Sequence, residues 1–421
     1  MREHLAALVE ARLAADDASF AKVYPGDTPT RQPVHTCYVP ADVITSSTPA
    51  EWGEQALALL DVHAPNTAAL AQVLGDALDV TAAELADVVP RVRAKLAGQP
   101  VEDLRIDLED GYGARPDDEE DAAAVAAGQV LAGLVSAGSA APIVAGVRIK
   151  SLWPATRARA LRSLELLVGA SVAAGGLPPR FVVTLPKVAT VAHVVAMVEV
   201  CAALEAAHGL GAGAVRLELQ IEVPQAIIAA DGSSPIPRMI AACAGRCEGL
   251  HYGTYDFSAA MGVSGRFQAL DHPLADAAKA VMQFAAAGTG ARVSDGSTNV
   301  IPVGSREAVL AAWAVHARLV RRQYERAIYQ GWDMHPGHLV TRYMSVYVMA
   351  RRELPVAAAR LRAYRDRAES GTVDEPATAR ALALGVLRGL DSGAVDDAEL
   401  SAVVAVDRGV LYELAGERGR R

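Results

Sequence analysis

The chain is poor in cysteine, with four (Cys37, Cys201, Cys243 and Cys247) among 421 residues. So few thiols over such a length exclude a disulfide framework. It is almost as poor in lysine, which supplies only five of the 40 basic residues. Two of these, Lys150 and Lys187, lie beside the strand-end motifs described below and have to be weighed as reactive amines. No basic run offsets the net charge of −9, so a nucleic-acid backbone is excluded as a partner. Long apolar runs are missing too. The Ala-rich stretches are interrupted by charges, Pro or Gly before they reach transmembrane length, and no membrane partner is expected. The amino terminus, "MREHLAALVEARLAADDASF", reads as an amphipathic helix without the apolar block and cleavage site of a signal peptide. The expected location is the cytoplasm. Internal repeats and low-complexity tracts are likewise missing.

What is present describes a soluble globular protein with an ample core, 52% hydrophobic and 21% charged. Near-continuous apolar runs of strand length fall at 34–39, 104–108, 143–149, 181–185, 215–221, 248–252, 291–294 and 331–334. Helical patterns lie between them, for example at 117–135, 155–174, 190–208, 273–287 and 306–329. Uniformly apolar strands joined by helical crossovers imply parallel strands covered on both faces. Eight such units predict an α/β fold, a (β/α)8 TIM barrel. An open doubly wound sheet would call for a glycine-rich phosphate loop after the first strand, and none follows Val39. Residues 41–100 form a helical insertion after the first strand. Its helices begin near Pro49, Asn66 and Thr81, with Asn66 and Thr81 as N-caps and Glu84 completing a capping box. The barrel domain is expected to span 1–345, and a helical appendage 346–421, broken at "ESGTVDEPAT".

Four of the strand-like runs end in charge: "LRIDLED" at Asp107, Glu109 and Asp110, "VAGVRIK" at Arg148, "LELQIEVP" at Glu222, and "GLHYGTYDFS" at Asp256. A lone strand-end carboxylate is more often a helix cap or an ion-pair partner. Several at the same end of consecutive strands are different, because a barrel gathers them on one rim. Carboxylates that converge with an arginine suit a hard divalent cation, Mg2+ or Mn2+, and an anionic substrate. Arg148 offers a bidentate fork for a carboxylate or an enolate oxygen.

These residues also carry a resemblance. "IDLEDGYG", "VRIKSL", "LPKVAT", "LQIEVPQA", "YGTYDFSAAMGV" and "DMHPGHL" occur in the order seen in the HpcH/HpaI aldolase family. The chain resembles its citrate-lyase beta-subunit-like branch, within the phosphoenolpyruvate/pyruvate-binding barrels. The resemblance covers roughly residues 34–345. It implies Glu222 and Asp256 as metal ligands and Arg148 as the group that holds the substrate carboxylate and the developing enolate. Glu109 and Asp110 would hold metal-bound waters or orient Arg148, and the backbone of Gly253, Thr254 and Tyr255 would lie against the substrate. The implied reaction is a carbon–carbon lyase or aldolase cleaving or forming a hydroxy-acid, or its acyl-CoA thioester, through a metal-stabilised enolate. Trimers or hexamers are the implied assembly.

The chain departs from that pattern at Ile149-Lys150 and at Val223-Pro224, and no motif singles out an acid among Asp366, Asp374 and Asp391. A free keto or hydroxy acid and a coenzyme A thioester therefore both stay open. So do a phosphoenolpyruvate-utilising phosphoryl-transfer enzyme on the same barrel and a non-catalytic keto-acid-binding homologue. Lys150, in phase with Arg148, is expected on the rim and in reach of an anionic substrate. Lys187 is set aside as a Schiff-base nucleophile. Asp295, in the rim loop "SDGSTN", is a candidate for substrate or water contact. His335 is expected to border the pocket and His338 to lie at a surface or interface. Cys243-x3-Cys247 lacks the second ligand pair of a zinc site.

Overall fold

The computed structural model describes residues 1–26, 30–135, 138–366, 375–404 and 407–416. Helix α1 (Arg2–Val23) precedes strand β1 (His35–Pro40), and three helices follow: α2 (Thr48–His63), α3 (Thr67–Leu78) and α4 (Ala82–Gly98). Strands and helices then alternate: β2 (Asp103–Asp107), α5 (Asp117–Val135), β3 (Val144–Arg148), α6 (Arg157–Ala174), β4 (Phe181–Leu185) and α7 (Val191–Ala207). After β5 (Val215–Ile221) come the short α8 (Pro224–Ile227) and α9 (Ile236–Ala242), β6 (Cys247–Tyr252) and α10 (Thr254–Ala260). The last units are α11 (Pro273–Ala286), β7 (Arg292–Ser294), α12 (Arg306–Glu325), β8 (Gly331–Asp333) and α13 (Pro336–Asp366). The tail adds α14 (Pro376–Ser392), a single turn α15 (Asp397–Glu399) and α16 (Arg408–Leu414).

The strands pair in parallel in the order β7-β6-β5-β4-β3-β2-β1-β8. A parallel bridge between Ser294 and Gln330, with the Asp295 N–H bonded to the Gln330 carbonyl at 2.9 Å, joins β7 to β8 and closes the ring. This is the expected (β/α)8 barrel, and each strand lies within about two residues of its apolar run. In the insertion, Asn66 accepts from the Ala69 N–H at 2.9 Å, and Thr81 and Glu84 form the capping box. These caps satisfy amide groups that a helix start otherwise leaves without partners.

One continuous core runs from the strands through the insertion into the first turns of α13. A second apolar cluster, from Leu354 to Ala415, fills the tail. Helix α13 runs unbroken across residue 345 and contributes to both clusters. Most of the expected break at "ESGTVDEPAT", and Asp374 with it, falls outside the described residues. The amino-terminal helix forms, but no face of it is buried. Leu5, Leu8, Val9 and Phe20 remain exposed. Among the described residues no helix is long and apolar enough to cross a membrane.

Candidate active site

Period-two alternation along the strands turns a column of polar residues into the barrel. On β2 the inward residues are Asp103, Arg105 and Asp107. Arg105, 1% exposed, pairs with Asp103, meets Glu218 at 2.8 Å and donates from Nε to Thr184 Oγ1 at 3.0 Å. Glu218 also accepts from Thr184 at 2.9 Å and from the Tyr38 hydroxyl at 3.3 Å, and lies 2.9 Å from His251 Nε2. The barrel is thus floored by a buried, compensated ion network. The mouth is built on it.

Asp107 and Arg148 are register partners at the ends of β2 and β3. Adjacent strands therefore bring guanidinium and carboxylate side by side. Arg148 Nε donates to Asp107 Oδ1 at 2.7 Å, Nη2 donates to Oδ2, and Nη1 lies 3.3 Å from Glu109 Oε2. The Asp107 oxygens also accept from the Glu109 N–H at 3.0 Å and the Gly111 N–H at 2.9 Å. Asp107 is therefore fully committed to fixing Arg148 and the loop behind it. The guanidinium carbon lies 4.9 Å from the Tyr38 ring centre and 5.0 Å from that of Trp332. Cation–π attraction to two rings and a bidentate carboxylate leave it one orientation. Burial lowers the Arg148 pKa, but Asp107 more than offsets this and holds it above the usual value, so the charge is permanent.

Glu222, one residue past β5, is 2% exposed. Its Oε1 accepts from the Lys187 backbone N–H at 2.7 Å and its Oε2 from Gln220 Nε2 at 2.7 Å. Among the described residues no cation comes within ion-pair distance of it. Burial drives its pKa up to about 8, with Asp256 and Glu109 adding to the rise and Lys187 opposing it. Asp256 sits in the first turn of α10 with its side chain 42% exposed. Gly253 lets the chain turn between the two acids, since a Cβ there would collide with the Glu222 carboxylate. Close approach is thus the reason for that glycine.

These groups line a cavity of about 400 Å³ with Asp107, Asp110, Thr254, Tyr255, Ser297 and Met334. Thr254 Oγ1 donates to the Ser297 carbonyl at 3.0 Å, and the Tyr255 hydroxyl accepts from the Asn299 N–H, so the 294–299 loop is bound to α10. Of the residues expected at the site, Arg148, Asp110, Glu222, Gly253, Thr254, Tyr255 and Asp256 converge here. Glu109 lies behind them, bonded to Lys187 and facing Arg148. Burial raises the Glu109 pKa despite those two cations. At Asp110 burial acts in the same direction, but Lys187 outweighs it and holds the pKa below the usual range.

Four expectations need correction. Lys150 does not face the cavity. Regular alternation ends with β3 at Arg148, and the Lys150 ammonium turns outward to Glu120 at 2.7 Å and the Leu108 carbonyl at 2.8 Å. Asp295 is buried beneath its loop and paired with Lys279 at 3.0 Å, away from the cavity. His338 is fully buried, because the first turn of α13 packs on the barrel wall. Its Nε2 donates to the Val300 carbonyl at 3.0 Å, and its ring stacks on His316 at 4.3 Å. His335 bonds the Gly337 N–H at 3.0 Å and is not among the cavity residues.

His316, Asp333 and His338 bring potential ligand atoms within 4.8 Å of one another. The Asp333 oxygens are already taken, by Arg342 at 2.8 Å, His316 at 3.1 Å and His35 at 3.0 Å. A cation there would have to displace a buried guanidinium. The cluster ties β8 to α12 and α13 instead. Tyr38, Gln220 and Trp332 also line the cavity and are not among the residues expected there. Position relative to the charges was the available signal, since Gln220 precedes Glu222 by two residues and shares its face.

No curated protein matches the chain. Among solved structures, a citrate lyase from Burkholderia xenovorans is similar, with 20% identity and a TM-score of 0.58 over 90% of this chain and 98% of that one. Likeness at this identity concerns the fold. Haloferax volcanii malate synthase in a magnesium/glyoxylate complex aligns at 16% identity over 76% of each chain, with a TM-score of 0.48. Its pyruvate/acetyl-CoA ternary complex aligns at 14% identity over 93% of this chain and 96% of that one, with a TM-score of 0.49. Both scores are too low to bear on this chain. The resemblance to HpcH/HpaI aldolases rests on the six motifs. A family model does match residues 13–419, and the chain belongs to that family, DUF6986, a domain of unknown function.

Proposed function

We propose that the protein is a divalent-cation-dependent carbon–carbon lyase or aldolase acting on a small keto or hydroxy acid. The observation that carries this reading is Glu222, a buried carboxylate without a cationic partner among the described residues, beside the half-exposed Asp256 in a cavity that also holds a fixed arginine. An unpaired buried charge is costly, and a hard cation between two oxygen donors would remove that cost. Glu222 and Asp256 would hold Mg2+ or Mn2+, in keeping with the six-motif resemblance. When bound, the ion supplies Lewis-acid polarisation of the substrate carbonyl.

Arg148 acts on the substrate directly. Its guanidinium edge toward the cavity binds the carboxylate and balances the negative charge that grows on the enolate as the carbon–carbon bond breaks. Asp107 with Tyr38 and Trp332 fixes that edge before substrate arrives, so no reorientation is needed at the moment of reaction. The likeness in fold to a protein named a citrate lyase accords with this chemistry. The test is cleavage of a hydroxy-acid panel with Mg2+ and with EDTA. Activity lost in EDTA, restored by Mg2+ and abolished in Glu222→Ala and Asp256→Ala is the expected result. Full activity in EDTA refutes the reading, and phosphate release from phosphoenolpyruvate without cleavage moves the reaction to phosphoryl transfer.

A further inference from the structure

Lys187 is the residue whose placement the proposed chemistry leaves unexplained. It follows Leu185-Pro186 at the end of β4 and adopts φ +52°, a left-handed conformation that non-glycine residues rarely take. Asparagine or glycine would suit such a turn better, so the side chain has to justify itself. Both backbone groups are anchored: the N–H donates to Glu222 at 2.7 Å and the carbonyl accepts from Trp153 Nε1 at 2.9 Å. This twist aims the side chain back across the mouth. There its ammonium bonds Glu109, meets Asp110 at 2.8 Å and lies 3.8 Å from Asp256. One flexible cation thus spans three acids from two different strand ends, and its backbone holds a fourth.

The mouth carries Asp107, Glu109, Asp110, Glu222 and Asp256 against two cations, Arg148 and Lys187. Arg148 is fixed against Asp107 and the aromatic slot and is reserved for the substrate carboxylate. Lys187 alone among the described residues balances the acids on the cavity's open side. We propose that the Lys187 ammonium is an internal counter-ion that competes with the divalent cation for the mouth carboxylates. The inference rests on the metal reading of Glu222 and Asp256 and adds what holds these acids together before the ion arrives. Lys187 does not line the cavity. It is a positioning residue, acting through Glu109, Asp110 and Asp256. Its tether is long and partly exposed, with the side chain 25% accessible, so the ammonium can withdraw toward solvent when a second cation enters. Removing it takes a like charge away from the ion, which strengthens ion binding, and leaves the acids mutually repelling when no ion is present.

The test measures Mn2+ binding by calorimetry and Tm with and without Mn2+, on the full chain. Lys187→Met removes the charge. Lys187→Gly removes it while relaxing the left-handed backbone, so a folding defect in the first variant is separated from the loss of charge. Lys187→Arg retains the charge. Both neutral variants are expected to bind Mn2+ about tenfold more tightly than wild type. Their Tm should be lower without Mn2+ and should rise further on its addition, and Lys187→Arg should stay near wild type. Mn2+ binding by all four proteins with equal Kd overturns the counter-ion role and leaves the metal reading standing. No Mn2+ binding by any of them overturns both.

Discussion

Glu102 enters β2 at the base of the barrel and Glu222 leaves β5 at its mouth, and both are withdrawn from solvent, at 0% and 2% exposure. At the base, Lys95 lies 2.7 Å away, Arg31 bonds the same carboxylate, and the Val34 N–H donates at 2.9 Å. Burial raises the Glu102 pKa, but Lys95 and Arg31 prevail and bring it to about 2. At the mouth the donors are an amide N–H and a glutamine, and the pKa goes up to about 8. Burial sets the size of each cost, and the partners set its sign. A carboxylate compensated within the fold holds the structure together. One left uncompensated beside a cavity is available to a ligand.

The comparison breaks first, and most, under the same exchange at both sites. Glu102→Gln strands two cations at a buried site and should cost about 3–5 kcal/mol of folding stability. Glu222→Gln is close to neutral at pH 7 without metal, within about 1 kcal/mol, because the native carboxyl is already protonated there. It should nevertheless weaken Mn2+ binding by about a hundredfold or more. Urea denaturation and calorimetry measure the two quantities, and equal stability losses at the two sites would remove the distinction between base and mouth.

A smaller effect sharpens the contrast through pH. Glu102 has a folded pKa of about 2 against an ordinary 4.5, so its contribution is complete above 4.5 and is lost as pH falls from there toward 2. The amount is on the order of 3 kcal/mol. Glu222 runs the other way. Its folded pKa of about 8 lies above 4.5, so its contribution is present below 4.5 and is lost as pH rises from there toward 8. Without metal, Tm should decline on both sides of a maximum near the ordinary carboxylate range. Glu222→Gln should flatten the alkaline limb and leave the acid limb unchanged. An alkaline limb of the same slope in that variant would show that another group carries it.

The strands and the acids that converge at the mouth can be read from sequence for one physical reason. A charge that terminates an apolar run is visible wherever it falls, and a barrel sends the ends of such runs to one rim. Arg148, Glu222 and Asp256 were legible on that ground. Tyr38 and Trp332 were not, because each is an ordinary strand residue that becomes the wall of a guanidinium slot only when β8 closes onto β1. Lys150 is misplaced by alternation because that rule does not hold two residues past the end of β3. The placement of the Lys187 ammonium among the mouth acids is not legible, because the left-handed backbone that redirects it leaves no mark in Leu185-Pro186-Lys187. His338 reads as part of a surface turn, and only the docking of the first turn of α13 buries it.

The seam between β7 and β8 has a mechanical meaning. Each of these strands is three residues long, and the ring is completed by the Ser294–Gln330 bridge with few hydrogen bonds around it. Segments secured by so few bonds open at lower free energy than the strands opposite them. Trp332 stands on this seam, and with Tyr38 it confines Arg148. Loosening the clasp therefore widens the slot, so ring closure and the confinement of the guanidinium become a single motion. Amide exchange at Trp332 that outpaces exchange at Val39 would be its signature.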